Sequence, residues 1–145
     1  MPIPLHSYIG GILENGFYES LPLFQGHRTP AAVNATATAT AAQVSKGYIT
    51  STSGSAVTLT LPTGTALGTY LNAKQGDVLD LYIDNTAGSN TVTVAVNTNA
   101  IISAAATSGS SAGAGLLTVA SGATGIACFR LMFASSTAYV FSRVA

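Results

Sequence analysis

Tryptophan is absent from this chain, and cysteine occurs once, at Cys128. A disulfide framework needs paired cysteines, so the chain has no means to build one within itself. Charge is nearly as scarce. Five Lys and Arg against five Asp and Glu make up 7% of 145 residues and cancel to a formal net charge of zero, where an ordinary soluble domain carries about 25% charged residues. Five scattered cations build no basic face, which argues against nucleic acid as a partner. No run approaches the roughly 20 apolar residues that cross a bilayer as a helix, so no membrane partner is expected. Low charge does not signal disorder either, because 48% of the chain is hydrophobic.

Small residues fill the space instead. Ala, Thr, Ser and Gly number 24, 19, 15 and 15, half of the chain. A near-neutral surface offers little colloidal repulsion and is easiest to understand if partners cover much of it. The length suits one domain. Met1-Pro2-Ile3-Pro4-Leu5-His6 lacks a basic n-region, and Gly10, Gly11 and Glu14 interrupt any apolar h-region. No secretory signal is therefore expected, and synthesis in the cytoplasm is.

Composition divides the chain into three zones. Residues 1–30 hold four of the five prolines and both histidines. Proline breaks helix and ladder alike, and the apolar residues Leu5, Tyr8, Ile9, Ile12, Phe17, Tyr18, Leu21, Leu23 and Phe24 follow no clean period. This zone reads as an extended N-terminal arm whose anchors are buried on its own core or on another subunit. Residues 31–44 alternate Ala and Thr and read as a linker or an edge strand. Residues 45–145 form the core domain. Strands are read at Lys46–Thr50, Ala56–Leu61, Asp77–Asp84, Thr91–Val96, Ala100–Ala106, Leu116–Ala120, Ile126–Phe133 and Ala138–Val144, with period-two alternation clean in Ala56–Leu61, Asp77–Asp84 and Thr91–Val96. Thr63 caps one short helix that reaches to Ala73. Asn85-Thr86-Ala87-Gly88-Ser89-Asn90 is a strong turn signal, so Asp77–Asp84 and Thr91–Val96 are expected to pair as a hairpin. Eight short strands with frequent turns predict a mainly β fold, an antiparallel β-sandwich or jelly-roll-like barrel.

No catalytic constellation stands out. Asp80 and Asp84 share a strand face about 13 Å apart, too far for a glycosidase pair on one strand. They read as a solvated face or as sheet-edge protection; a calcium site with Asn85 or Asn90 is the lesser alternative. His6 and His27 have no second ligand at metal spacing. Cys128, beside Phe129 in an apolar strand, reads as a buried inert thiol. No serine sits in a Gly-x-Ser-x-Gly elbow. Asn34-Ala35-Thr36 matches a glycosylation acceptor, incidental without a secretory signal. Tyr48, Tyr70, Tyr82 and Tyr139 read as core or interface before sugar-stacking residues. The expectation is therefore a chain without enzymatic activity, cofactor or metal.

The arm, the Ala/Thr stretch, Ala-Val-Thr-Leu-Thr-Leu-Pro-Thr (56–63) and Gly-Asp-Val-Leu-Asp-Leu-Tyr-Ile-Asp-Asn-Thr-Ala-Gly-Ser-Asn-Thr-Val-Thr-Val (76–94) together form a familiar pattern. It resembles the head decoration (cement) proteins of tailed bacteriophages, mainly over residues 45–145. The resemblance implies a homotrimer that binds the major capsid protein on the outside of the virion and staples neighbouring capsomers against DNA pressure. The arm would reach over the shell or onto a neighbouring subunit. The alternative is a phage tail or fibre domain that recognises host-surface glycans.

Overall fold

The computed structural model describes residues 29–102 and 117–144. The nine arm residues singled out above, Leu5 to Phe24, lie outside the described residues, as do His6 and His27. Ten strands and two helices follow in chain order: β1 (Ala31–Ala32), β2 (Ala37–Thr38), α1 (Ala41–Val44), β3 (Tyr48–Thr50), β4 (Val57–Thr60), α2 (Gly64–Leu71), β5 (Val78–Asp84), β6 (Val92–Ala95), β7 (Ala100–Ile102), β8 (Thr118–Val119), β9 (Ile126–Ser135) and β10 (Ala138–Arg143). The chain is mainly β, in two sheets. One has the order β1-β3-β5-β9-β10-β7 and the other β2-β4-β6-β8.

From β1 to β6 the chain alternates between the sheets, so each return lays a strand beside the previous one in the same direction. β1, β3 and β5 are parallel neighbours, and so are β2, β4 and β6. β7 also runs parallel to β10. Antiparallel pairs are β5 with β9, β9 with β10 and β6 with β8. Both sheets are therefore mixed, which corrects the expected antiparallel fold, and neither closes into a barrel.

The expected hairpin does not form. β5 lies in the larger sheet and β6 in the smaller one, so the Asn85–Asn90 segment is a crossing between layers. Asn85 is fully buried there, and its Nδ2 donates to the carbonyls of Asn90 at 2.7 Å and Ala120 at 3.0 Å. Ser89 N donates to Ser53 O at 3.0 Å, which ties this crossing to the one between β3 and β4. Alternation tells which face of a strand is buried; it does not tell which strand lies alongside.

The buried faces meet in one core. Ile49, Leu81, Ile83, Phe129, Leu131 and Phe141 enter it from the larger sheet, and Val57, Leu59, Val92, Val94 and Val119 from the smaller. Phe129 and Phe141 stack with ring centroids 4.9 Å apart. The Tyr139 hydroxyl, fully buried, donates to Pro62 O at 2.7 Å.

Residues 31–44, expected as a linker or an edge strand, supply one edge strand of each sheet and the helix α1. Ala31, Val33, Ala39 and Val44 are buried in the core. Thr40 caps α1: its Oγ1 accepts from Gln43 N at 3.2 Å, and Gln43 Oε1 accepts from Thr40 N at 2.8 Å. That reciprocal pair is a capping box. In α2, Thr63 Oγ1 accepts from Ala66 N at 3.1 Å, as its place before the helix predicts. Gly64 and Gly68, which weaken the helix by propensity, face the β9–β10 end. A Cβ at Gly68 would run into the Ser136 carbonyl, and one at Gly64 into the carbonyls of Asn99 and Thr137.

Candidate functional site

Side chains alternate across a strand, so the residues between the core positions of β5 and β9 point away from the core. On β5 these are Val78, Asp80, Tyr82 and Asp84, and on β9 they are Ile126, Cys128, Arg130 and Met132. Register places Val78 opposite Met132, Asp80 opposite Arg130, Tyr82 opposite Cys128 and Asp84 opposite Ile126. β3 adds Tyr48 beside Tyr82, and β10 adds Val140 beside Met132 and Ser142 beside Arg130. Val144 follows, its N–H donating to Cys128 O at 2.8 Å.

The result is an apolar outer face on the larger sheet. Val78, Tyr82, Ile126, Met132 and Val144 are each between 43% and 53% exposed. Scattered exposed apolar residues need no explanation, whereas a contiguous patch marks an interaction surface. Two apolar rows, Val78/Met132/Val140 and Tyr48/Tyr82/Cys128/Val144, flank one polar row, Asp80/Arg130/Ser142.

The charged groups on this face are hydrogen-bonded where they stand. Arg130 Nε donates to Asp80 Oδ1 at 2.7 Å and Nη2 to Oδ2 at 2.8 Å, a bidentate pair. The hydrogen bond from Arg130 holds the Asp80 carboxyl below its ordinary range. Asp84 accepts from the Thr86 hydroxyl at 2.6 Å, the Tyr48 hydroxyl at 2.6 Å and Thr86 N at 2.9 Å. These bonds, the Thr86 hydroxyl first, lower its pKa too. The Asp84 bond in turn raises the Tyr48 phenol. β5 lies between β3 and β9, inside the sheet. The sheet-edge role expected for Asp80 and Asp84 is thus corrected: Asp80 holds Arg130, and Asp84 holds Tyr48 and the start of the crossing.

Cys128 is buried, as expected of it, but on the outer side of β9 rather than in the core. It floors a shallow dent of about 110 Å³ with Tyr82, Ile126 and Ala127. The Cys128 thiol is the first cause of the raised pKa of the Tyr82 phenol beside it. Of the four tyrosines, the structure brings together Tyr48 and Tyr82 alone. Tyr139 is in the core, and Tyr70 stands on α2, where Thr29, Ala42, Ser45, Lys46, Tyr70 and Leu71 line a wide-open groove of about 620 Å³.

Sequence reasoning missed Val78, Ile126, Arg130 and Met132 as a group. The signal that marks them is in β9. Ile126-Ala127-Cys128-Phe129-Arg130-Leu131-Met132-Phe133 is apolar at nearly every position, not at every second one. A strand written that way is built for cover on both faces. No protein-family model, no curated protein and no solved structure matches the chain.

Proposed function

We propose that the chain is a structural virion protein that binds the outer surface of a phage head and cements neighbouring capsomers, without catalysing a reaction. The observation that supports it is the outer face of the larger sheet. Tyr, Met and Arg on an apolar surface, with Asp80 and Arg130 already paired, make a composition typical of protein–protein interfaces. A sheet held on a common core presents such a face without rearrangement. A surface with little net charge lets copies crowd on a shell without repelling one another. The two sheets are read as the layers of a sandwich, supported by their shared core; the five parallel pairings depart from a jelly-roll pattern. The major capsid protein is the proposed partner, with residues 1–30 as the reaching segment.

The test is to mix the purified chain with expanded heads that lack it, sediment them, and image the pellet by cryo-electron microscopy. Density on the outer surface between capsomers is expected, as is a rise in the temperature at which heads release DNA. A protein that stays in the supernatant, or that purifies with tails, defeats the reading.

One observation favours the glycan alternative: Tyr48 and Tyr82 stand side by side with Asp80 and Asp84 close by. A glycan-array signal lost in Tyr82→Ala would carry that reading instead.

A further inference from the structure

The outer face of the larger sheet has an order along its strands that bears on what covers it. The row Asp80/Arg130/Ser142 is central, with Val78/Met132/Val140 on one side and Tyr48/Tyr82/Cys128/Val144 on the other. Neighbouring rows on one face are about 6.6 Å apart, two residues of strand rise. A fourth row, Asp84/Ile126, follows beyond Tyr82/Cys128. A two-fold axis parallel to the strands, between β5 and β9, lays each row of a second copy on the same row of the first, apolar on apolar. It also sets Asp80 of one copy against Arg130 of the other, and the reverse, so the four charges alternate in sign. The face carries its own charge complement.

Resting on the reading of this face as a protein-binding surface, we propose that its occupant is a second copy of this chain, packed face to face through Val78, Asp80, Tyr82, Ile126, Arg130 and Met132. The contact is isologous: the same patch serves both partners. It joins copies in twos and is separate from the threefold contact that the resemblance implies. Four strands at about 4.8 Å spacing and seven residues of about 3.3 Å rise give a face of roughly 400 Å² per copy. About 800 Å² in total is below the range of stable specific interfaces and fits a weak, transient one. The pairing is accordingly weak in dilute solution and gains strength where copies are concentrated, as on an ordered surface.

Sedimentation velocity of the full chain over a concentration series tests this. The expected result is a reversible doubling of mass as concentration rises. Tyr82→Lys and Met132→Lys, both at exposed positions, each weaken the doubling tenfold or more while the thermal midpoint stays in place. The decisive variant is the swap Asp80→Arg with Arg130→Asp. It keeps the pair within each copy, so swapped chains double among themselves as wild type does. In a mixture, swapped and wild-type chains bring Asp against Asp and Arg against Arg, so mixed pairs are expected at least tenfold weaker than like pairs.

Wild type that shows no doubling up to about millimolar concentration overturns the proposal. So does doubling that ignores Tyr82→Lys, or mixed pairs as strong as like pairs. Loss of binding to expanded heads in Tyr82→Lys, with mass doubling intact, assigns the face to the shell and overturns the pairing while leaving the cement reading. Doubling as expected with no head binding by any variant upholds the pairing and removes the cement reading.

Discussion

Asp84 accepts three hydrogen bonds within 3 Å, and the folded chain therefore binds its proton less tightly than the unfolded chain does. Ionised Asp84 contributes stability above the ordinary value of 3.8, and that contribution is lost as pH falls through the lower folded value. Asp80 acts in the same direction through Arg130. The thermal midpoint is expected to drop on acidification from about pH 6 to about pH 2, with a smaller drop in Asp84→Asn; equal slopes would dismiss the link. Tyr139 has the opposite sign. Burial raises its pKa far above 10.0, so its contribution is complete below pH 10 and is lost as pH rises toward the folded value. Tyr139→Phe is expected to cost about 1–2 kcal/mol at neutral pH, through the lost bond to Pro62 O. It should also flatten the alkaline loss seen in urea unfolding. Alternation in β10 identifies Tyr139 as a core residue, whereas its partner in the Pro62 turn lies 77 positions away and has no local signature.

At the scale of elements, α2 sets local propensity against packing. Alanine is the better helix former than glycine by about 1 kcal/mol in a helix interior. Gly68→Ala is nonetheless expected to destabilise by about 1–3 kcal/mol, because the new methyl meets the Ser136 carbonyl and α2 must lift off the β9–β10 turn. Thr63→Ala, which removes the cap from Ala66 N, is expected to cost about 1 kcal/mol. Denaturant midpoints of the two variants check both values; a stabilised Gly68→Ala would show that the close approach is unimportant. The same residues show what was legible. Thr63 announces the start of α2, and Thr40-x-x-Gln43 spells the capping box of α1 inside a stretch that otherwise looks like simple repeat. Glycine in a helix reads as weakness until the neighbouring carbonyl is seen.

For the whole molecule, a single core shared by both sheets predicts a single transition. Leu59 in the smaller sheet and Leu81 in the larger are both fully buried. Either one truncated to alanine is expected to cost about 2–5 kcal/mol. Far-ultraviolet circular dichroism, which reports both sheets, and tyrosine fluorescence are expected to give the same midpoint in each variant. Two separated transitions would mean that the sheets are independent units.

Local chemistry placed the elements. Alternation, apolar runs and turn signals located β3 to β10 within a few residues, and Thr63 located α2. Those signals sit within a few residues of where they act. The tertiary structure decided the pairing: β5 joins β3 and β9, and β6 joins β4 and β8, instead of each other. It likewise decided that Asp80 meets Arg130, 50 positions away, between two apolar rows. The reason is physical. Burial of one strand face costs and gains the same whichever strand lies alongside, so alternation carries no record of the neighbour. Register across distant segments exists only once crossings such as Asn85–Asn90, pinned by the Asn85 Nδ2 bonds to Asn90 O and Ala120 O, have set the strands side by side.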